Sequence, residues 1–70
     1  MTIFAQRLKQ AREYEGYTQE EFSSMLKIPL STYRKYEIQS KWHAEPNQEL
    51  LVKMSKLLNV SVGYLLGTES

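Results

Sequence analysis

The chain contains no cysteine and only one histidine, His43, among its 70 residues. The lack of cysteine excludes a disulfide framework and a thiolate zinc site, and a zinc site around one imidazole would need several carboxylates beside it. Three glycines are too few for a glycine-rich loop of the kind that cradles phosphates. We therefore expect no metal and no other cofactor.

Long apolar runs are also missing, so the sequence predicts neither a membrane-spanning helix nor a signal peptide. We expect a cytoplasmic protein with no membrane partner. No nucleophile–base set stands out, and we expect no enzymatic activity. The net charge is only +1, with nine Lys and Arg residues against eight Asp and Glu residues. Because such a balance is a weak signature of nucleic-acid binding, the distribution of the charges has to be examined.

Seventy residues predict one domain, over residues 1–70. A domain of this size buries only about 60% of the surface that its unfolded chain exposes, so a partner subunit would add to its stability. The length fits a protein of one domain, and the chain could also be the N-terminal domain of a longer protein.

Five helices account for most of the chain, and no segment is left for a sheet. Apolar residues at helical spacing predict helix 1 from Thr2, its N-cap, to Tyr14, and Gly16 favours its end. Thr18 and Glu21 have the spacing of a capping box, which predicts helix 2 at about 18–26. Helix 3 is predicted at about 29–38, because proline suits the start of a helix.

The strongest helical pattern is that of helix 4, whose apolar stripe runs from Leu50 to Leu58 between the predicted caps Asn47 and Asn59. A short helix 5 is predicted at 62–66, between Ser61 and the glycine at 67. The sequence therefore predicts an all-α fold.

Helix 3 has one apolar and one polar side. Tyr33 and Tyr36 lie one turn apart and are predicted to face the core, with hydroxyl groups that reach partners at the surface. The predicted outward face comprises Leu30, Ser31, Thr32, Arg34 and Lys35. Between Lys27 and His43 there are four basic residues and one acidic residue, so positive charge is concentrated here. In the loop at 39–46, Trp42 is predicted either to cover the core or to join a dimer interface.

The combination of these patterns resembles the Cro and phage-repressor type of helix-turn-helix domain (XRE-like). The resemblance covers nearly the whole chain. It rests on Arg7-Leu8, Arg12, Gly16 to Phe22, Leu26, Ile28, Ser31-Thr32, Tyr36-Glu37, Leu57 to Ser61, and Leu65 to Gly67. It implies a compact five-helix lambda-repressor-like domain in which helix 3 enters the major groove of double-stranded DNA.

The resemblance also implies DNA-binding roles for particular residues. Thr18 and Gln19 would lie at a backbone phosphate near the start of helix 2. Leu30, Ser31, Thr32 and Lys35 would meet base edges, with Ser31 and Thr32 also able to bond phosphates. Arg34 and Lys41 would hold phosphates. Arg12 and Glu37 would instead form a structural ion pair between helix 1 and helix 3.

Three positions, Lys27, Ser23 and Pro29, depart from the family pattern, and the apolar helix start at Pro29, together with the low net charge, keeps a second function open. Lys27 stands where the turn usually has glycine, which is strained if the turn requires a positive φ. Pro29 replaces the usual Ser or Thr cap, so the start of helix 3 is apolar. The leading hypothesis is a sequence-specific transcriptional regulator, a phage or mobile-element repressor of Cro type that binds operator DNA as a homodimer. The alternative is an antirepressor or modulator that binds a partner repressor protein through the same surface.

Overall fold

Five α-helices and no strand make up the part of the chain described by the computed structural model, residues 3–38 and 45–68. They are α1 (Ile3–Tyr14), α2 (Gln19–Leu26), α3 (Leu30–Glu37), α4 (Gln48–Leu58) and α5 (Val62–Leu66). The all-α fold and its five helices are confirmed. None of these helices is long and apolar enough to cross a membrane. The predicted N-cap Thr2 lies outside the described residues, as does most of the loop at 39–46.

The ends of the helices are set by local side chains, as their residue types predicted. Asn47 and Ser61 each accept a hydrogen bond from the backbone amide three residues on, at 2.8 and 3.0 Å. Gly16, Asn59 and Gly67 have positive φ where α1, α4 and α5 end. The start of α3 differs by one residue from the prediction. Pro29 is its N-cap, with an extended ψ of 146°, and the helix proper begins at Leu30.

The core lies where α1 crosses α3 and α5, and where α2 meets α3 and α4. Its largest fully buried side chains are Leu8, Phe22, Tyr33, Met54, Leu58 and Leu65. The aromatic rings at its centre pack edge to face, with 5.5 Å between the ring centroids of Phe22 and Tyr33. This packing holds α2 and α3 at a fixed angle, which is what a rigid two-helix motif requires.

A polar contact joins the two ends of the chain. The Arg7 Nη1 atom donates a hydrogen bond of 2.7 Å to the carbonyl oxygen of Tyr64, and its guanidinium lies 4.6 Å from the centroid of the Tyr64 ring. A cation over an aromatic face adds to the stability of such a contact. The half-buried Arg7 therefore holds α5 against α1.

Candidate nucleic-acid interface

The start of α2 has a complete capping box. The Glu21 amide donates to Thr18 Oγ1 at 3.0 Å, and the Thr18 amide donates to Glu21 Oε1 at 2.9 Å. Both bonds satisfy amide groups that have no partner within the helix. The exposed Thr18 hydroxyl thus fixes the first turn of α2, so any phosphate contact of Thr18 would be additional to this structural role.

The turn between α2 and α3 adopts the left-handed conformation that glycine favours. Lys27 has φ 60° and ψ 42°. Its amide donates to the Ser24 carbonyl at 3.0 Å, and the next amide, of Ile28, donates to the Ser23 carbonyl at 3.1 Å. These two bonds close the end of α2 in the manner of a Schellman motif. The turn therefore needs a positive φ at this position, and lysine costs about 1 kcal/mol there relative to glycine.

α3 separates cleanly into a buried and an accessible side. Tyr33, Tyr36 and Glu37 are buried. The five residues predicted to face outward lie on the other side: Ser31, Arg34 and Lys35 are exposed, and Leu30 and Thr32 are half-buried. Pro29 offers no side-chain cap, so the first amides of α3 lack the partner that a Ser or Thr cap would give them.

The ion pair between Arg12 and Glu37 links α1 to the end of α3. Arg12 Nε donates to Glu37 Oε2 at 2.7 Å, and Arg12 Nη2 donates to Glu37 Oε1 at 3.1 Å. Both side chains are more than 90% buried. Arg12 Nη1 also donates to the carbonyl oxygen of Tyr17 at 2.7 Å, and the hydrogen bond to Glu37 raises the pKa of Arg12. Two-point pairing of this kind fixes the orientation of both groups.

The hydrogen-bond partner of the Tyr33 hydroxyl lies inside the domain, so the predicted partner at the surface is wrong. A surface partner was expected, but Tyr33 is fully buried and its hydroxyl donates a short hydrogen bond to Glu37 Oε2. The reason is the helical spacing, since Glu37 lies one turn after Tyr33 and is already held inside by Arg12. Burial raises the pKa of Tyr33, and the hydrogen bond to Glu37 raises it further.

Gln19 completes this cluster of side chains. Its Nε2 atom donates to Glu37 Oε1 at 3.1 Å. Glu37 therefore accepts two hydrogen bonds on each carboxylate oxygen, from side chains of α1, α2 and α3 itself. The contact places the start of α2 beside the C-terminal end of α3. No local sequence pattern indicated it, because it depends on how two helices approach each other.

Lys41, predicted as a phosphate contact, lies outside the described residues, as do Trp42 and His43. Among the described residues there is no group of three carboxylate, histidine or cysteine side chains that could hold a metal ion. What the described surface offers instead is an accessible helix face with two cations, next to the start of a second helix. Such an arrangement is suited to binding a polyanion through side chains and helix termini.

Known proteins with similar sequences share this motif. Two are from Bacillus subtilis (strain 168). The SPbeta prophage-derived uncharacterized HTH-type transcriptional regulator YonR is 41% identical over 64 residues, covering 91% of this chain and 56% of YonR. The HTH-type transcriptional regulator ImmR is 41% identical over 63 residues, covering 90% of this chain and 47% of ImmR.

A third relative, the uncharacterized HTH-type transcriptional regulator YqaE from the same strain, is 35% identical over 68 residues, covering 97% of this chain and 56% of YqaE. The chain thus spans about half the length of these curated relatives. The helix-turn-helix family matches residues 8–65, which include α2, the turn at Lys27 and α3 in full. This chain therefore belongs to the helix-turn-helix family, as its resemblance to Cro and phage repressors predicted.

Proposed function

We propose that this protein is a DNA-binding transcriptional regulator that places α3 in the major groove of operator DNA. The observation that carries the proposal is the accessible side of α3, where Ser31, Arg34 and Lys35 are exposed opposite a buried side. The eight residues of α3 span about 12 Å. The major groove, about 12 Å wide, accepts one α-helix, whose diameter with side chains is about 10–12 Å.

The side chains of this face match the chemistry of bases and phosphates. Lys35 has the donors to reach O6 and N7 of guanine, and Leu30 can pack on the methyl group of thymine. Ser31 and Thr32 can bond either a base edge or a phosphate. Arg34, like Lys41, serves as a phosphate contact that positions the protein without reading sequence.

The start of α2 supplies a second contact with the backbone. Because Gln19 is bonded to Glu37, this helix start is held beside the C-terminal end of α3. The positive end of a helix dipole favours a phosphate. We assign Gln19 and Thr18 to a phosphate on the flank of the groove that α3 occupies.

The relatives support the class of function. They are named HTH-type transcriptional regulators, and one is prophage-derived. A repressor of Cro type from a phage or other mobile element fits this set. It would bind as a homodimer to a pseudo-palindrome with half-sites about 34 Å apart, one turn of the double helix.

Selection of bound sequences from a random DNA library tests the proposal, followed by gel shifts of the selected and a scrambled duplex at rising salt. Lys35→Ala should relax the preference at one base pair, at a cost of about 1–3 kcal/mol. Arg34→Ala should weaken binding to both duplexes equally. It should also reduce the salt slope, which is the slope of the logarithm of the binding constant against the logarithm of the salt concentration, by about one. Lys56→Ala, which removes an exposed cation at the end of α4, is the matched control. Recovery of no motif, with only weak salt-sensitive binding, would refute the proposal.

One observation favours a second candidate, the binding of a partner repressor protein. Leu30 is an apolar residue that is only half-buried, directly after the exposed Pro29. Ile28, the third apolar residue here, is also half-buried and packs against the core. Co-purification of a stoichiometric partner that is lost on Leu30→Asp would support this function, whereas DNA binding without such a partner would count against it.

A further inference from the structure

Four described residues adopt the left-handed backbone conformation, and each follows the end of a helix. They are Gly16, Lys27, Asn59 and Gly67. Glycine and asparagine adopt this conformation at the lowest cost. Lysine does not, so the turn inside the helix-turn-helix motif has the least suitable residue of the four.

The strain at Lys27 is not offset by packing of its side chain. Lys27 is exposed, while its neighbours Leu26 and Ile28 line a shallow groove with Leu50 of α4. The residues on either side thus face α4, and Lys27 extends into solvent. Within the described part of the chain, the ion pair joins Arg12 to Glu37, and Lys27 is not part of it. A backbone outlier of this kind in a surface turn points to a function of the side chain.

A cation at the end of α2 would also stabilise that helix through its dipole. This does not explain the position, because Ser24 is exposed in the same turn of α2 and would accept a lysine without positive φ. The strained site differs from Ser24 in its place along the chain. It lies two residues before Pro29, the N-cap of α3, where no side chain caps the helix.

We infer that Lys27 binds a backbone phosphate of double-stranded DNA at the groove edge where α3 enters. The inference rests on the proposed function. Pro29 lacks a backbone N–H, so this end of α3 has lost one of the donors that could meet a phosphate. The Lys27 ammonium restores a positive group at that end. Glu20 and Glu21 lie in the first turn of α2, so their negative charge is at the far end of that helix from Lys27.

Three variants at this position separate charge from strain in gel shifts across a salt series on a selected duplex. Lys27→Gln removes the charge but keeps the strain, Lys27→Gly removes both, and Lys27→Arg keeps both. We expect Lys27→Gln and Lys27→Gly to weaken binding about threefold to tenfold near physiological salt and to lower the salt slope by about one. Lys27→Arg should bind like wild type. Lys27→Gly should also have a higher Tm, so that stability and affinity move in opposite directions.

The matched control is Lys56→Gln, which makes the same charge change at the exposed end of α4. An equal loss of affinity in Lys56→Gln would show a general charge effect and would overturn the inference. A Lys27→Gln variant with the same salt dependence of binding as wild type would also overturn the inference. The proposed function would not be affected by that result. If the wild-type protein itself forms no specific complex with DNA, the proposed function fails and the inference fails with it.

Discussion

Glu37 is a buried carboxylate that three other side chains hold in place. Two of them, Gln19 and Tyr33, are neutral, and the third is the Arg12 guanidinium. A carboxylate removed from water retains its charge at low cost only when such partners are present. The ion pair is therefore a condition for burying Glu37 at all, and Arg12 is the partner that supplies the opposite charge.

Arg12→Ala should destabilise the domain by about 3–5 kcal/mol, because it leaves the Glu37 charge buried without its counter-charge. Urea unfolding followed by far-UV circular dichroism measures this loss. Lys9→Ala, at an exposed position of the same helix, should change stability by less than about 0.5 kcal/mol. A fully stable Arg12→Ala variant that no longer binds DNA would instead assign Arg12 to the DNA contact.

The raised pKa of Tyr33 makes stability dependent on pH in the alkaline range. The folded state favours the neutral phenol, so this contribution is complete below the ordinary tyrosine value near 10 and is lost as the pH rises toward the folded-state pKa. Within that window, ionisation of Tyr33 should lower the free energy of unfolding by about 1.4 kcal/mol per pH unit. Tyr33→Phe should remove that slope, measured by urea unfolding at several pH values, while Tyr14→Phe, at an exposed tyrosine, should keep it. An unchanged slope in Tyr33→Phe would contradict the assignment.

Among the elements, α5 depends on how tightly its last turn closes on α1. Gly67 has φ +79°, and a Cβ atom there would lie 2.8 Å from Cγ2 of Ile3. Gly16, at the end of α1, has a similar φ of +83° and open space around it. The two glycines thus share the backbone requirement and differ in the room for a side chain.

Gly16→Ala should cost about 1–2 kcal/mol, the penalty of a left-handed backbone alone. Gly67→Ala should cost more, because the new methyl group also displaces Ile3. Thermal unfolding of both variants measures the difference, and in an Ile3→Ala background the excess at Gly67 should disappear. Equal costs for the two glycines in the wild-type background would show that α5 moves away freely.

At the scale of the whole molecule, a homodimer should show itself in thermal unfolding. Folding that is coupled to association makes Tm rise with protein concentration. We expect this rise over about two decades of concentration, with sedimentation equilibrium giving the mass of the folded species. A constant Tm together with a monomer mass would exclude the homodimer for this chain in the absence of DNA.

The sequence predicted the helix ends, which are determined by neighbouring residues. It did not predict the contacts that depend on how the helices pack against each other. The capping box at Thr18 and the caps Asn47, Asn59 and Ser61 follow from side chains three residues apart or from one backbone conformation. The pairing of Arg12 with Glu37 came only through the resemblance to a family, since 25 residues separate them. The bond from Gln19 to Glu37 had no signal of either kind.

The eight positions of α3 divide into a fixed set and a free set. Tyr33, Tyr36 and Glu37 hold the helix to the domain, and the other five positions contribute little or nothing to the buried core. Under the proposed function, substitutions at Leu30, Ser31, Thr32 and Lys35 should therefore alter the DNA sequence that is recognised without unfolding the protein, whereas substitution of Arg34 should change the affinity alone. On the same proposal, a library restricted to the codons of Leu30, Ser31, Thr32 and Lys35 would retarget the same scaffold to new DNA sequences.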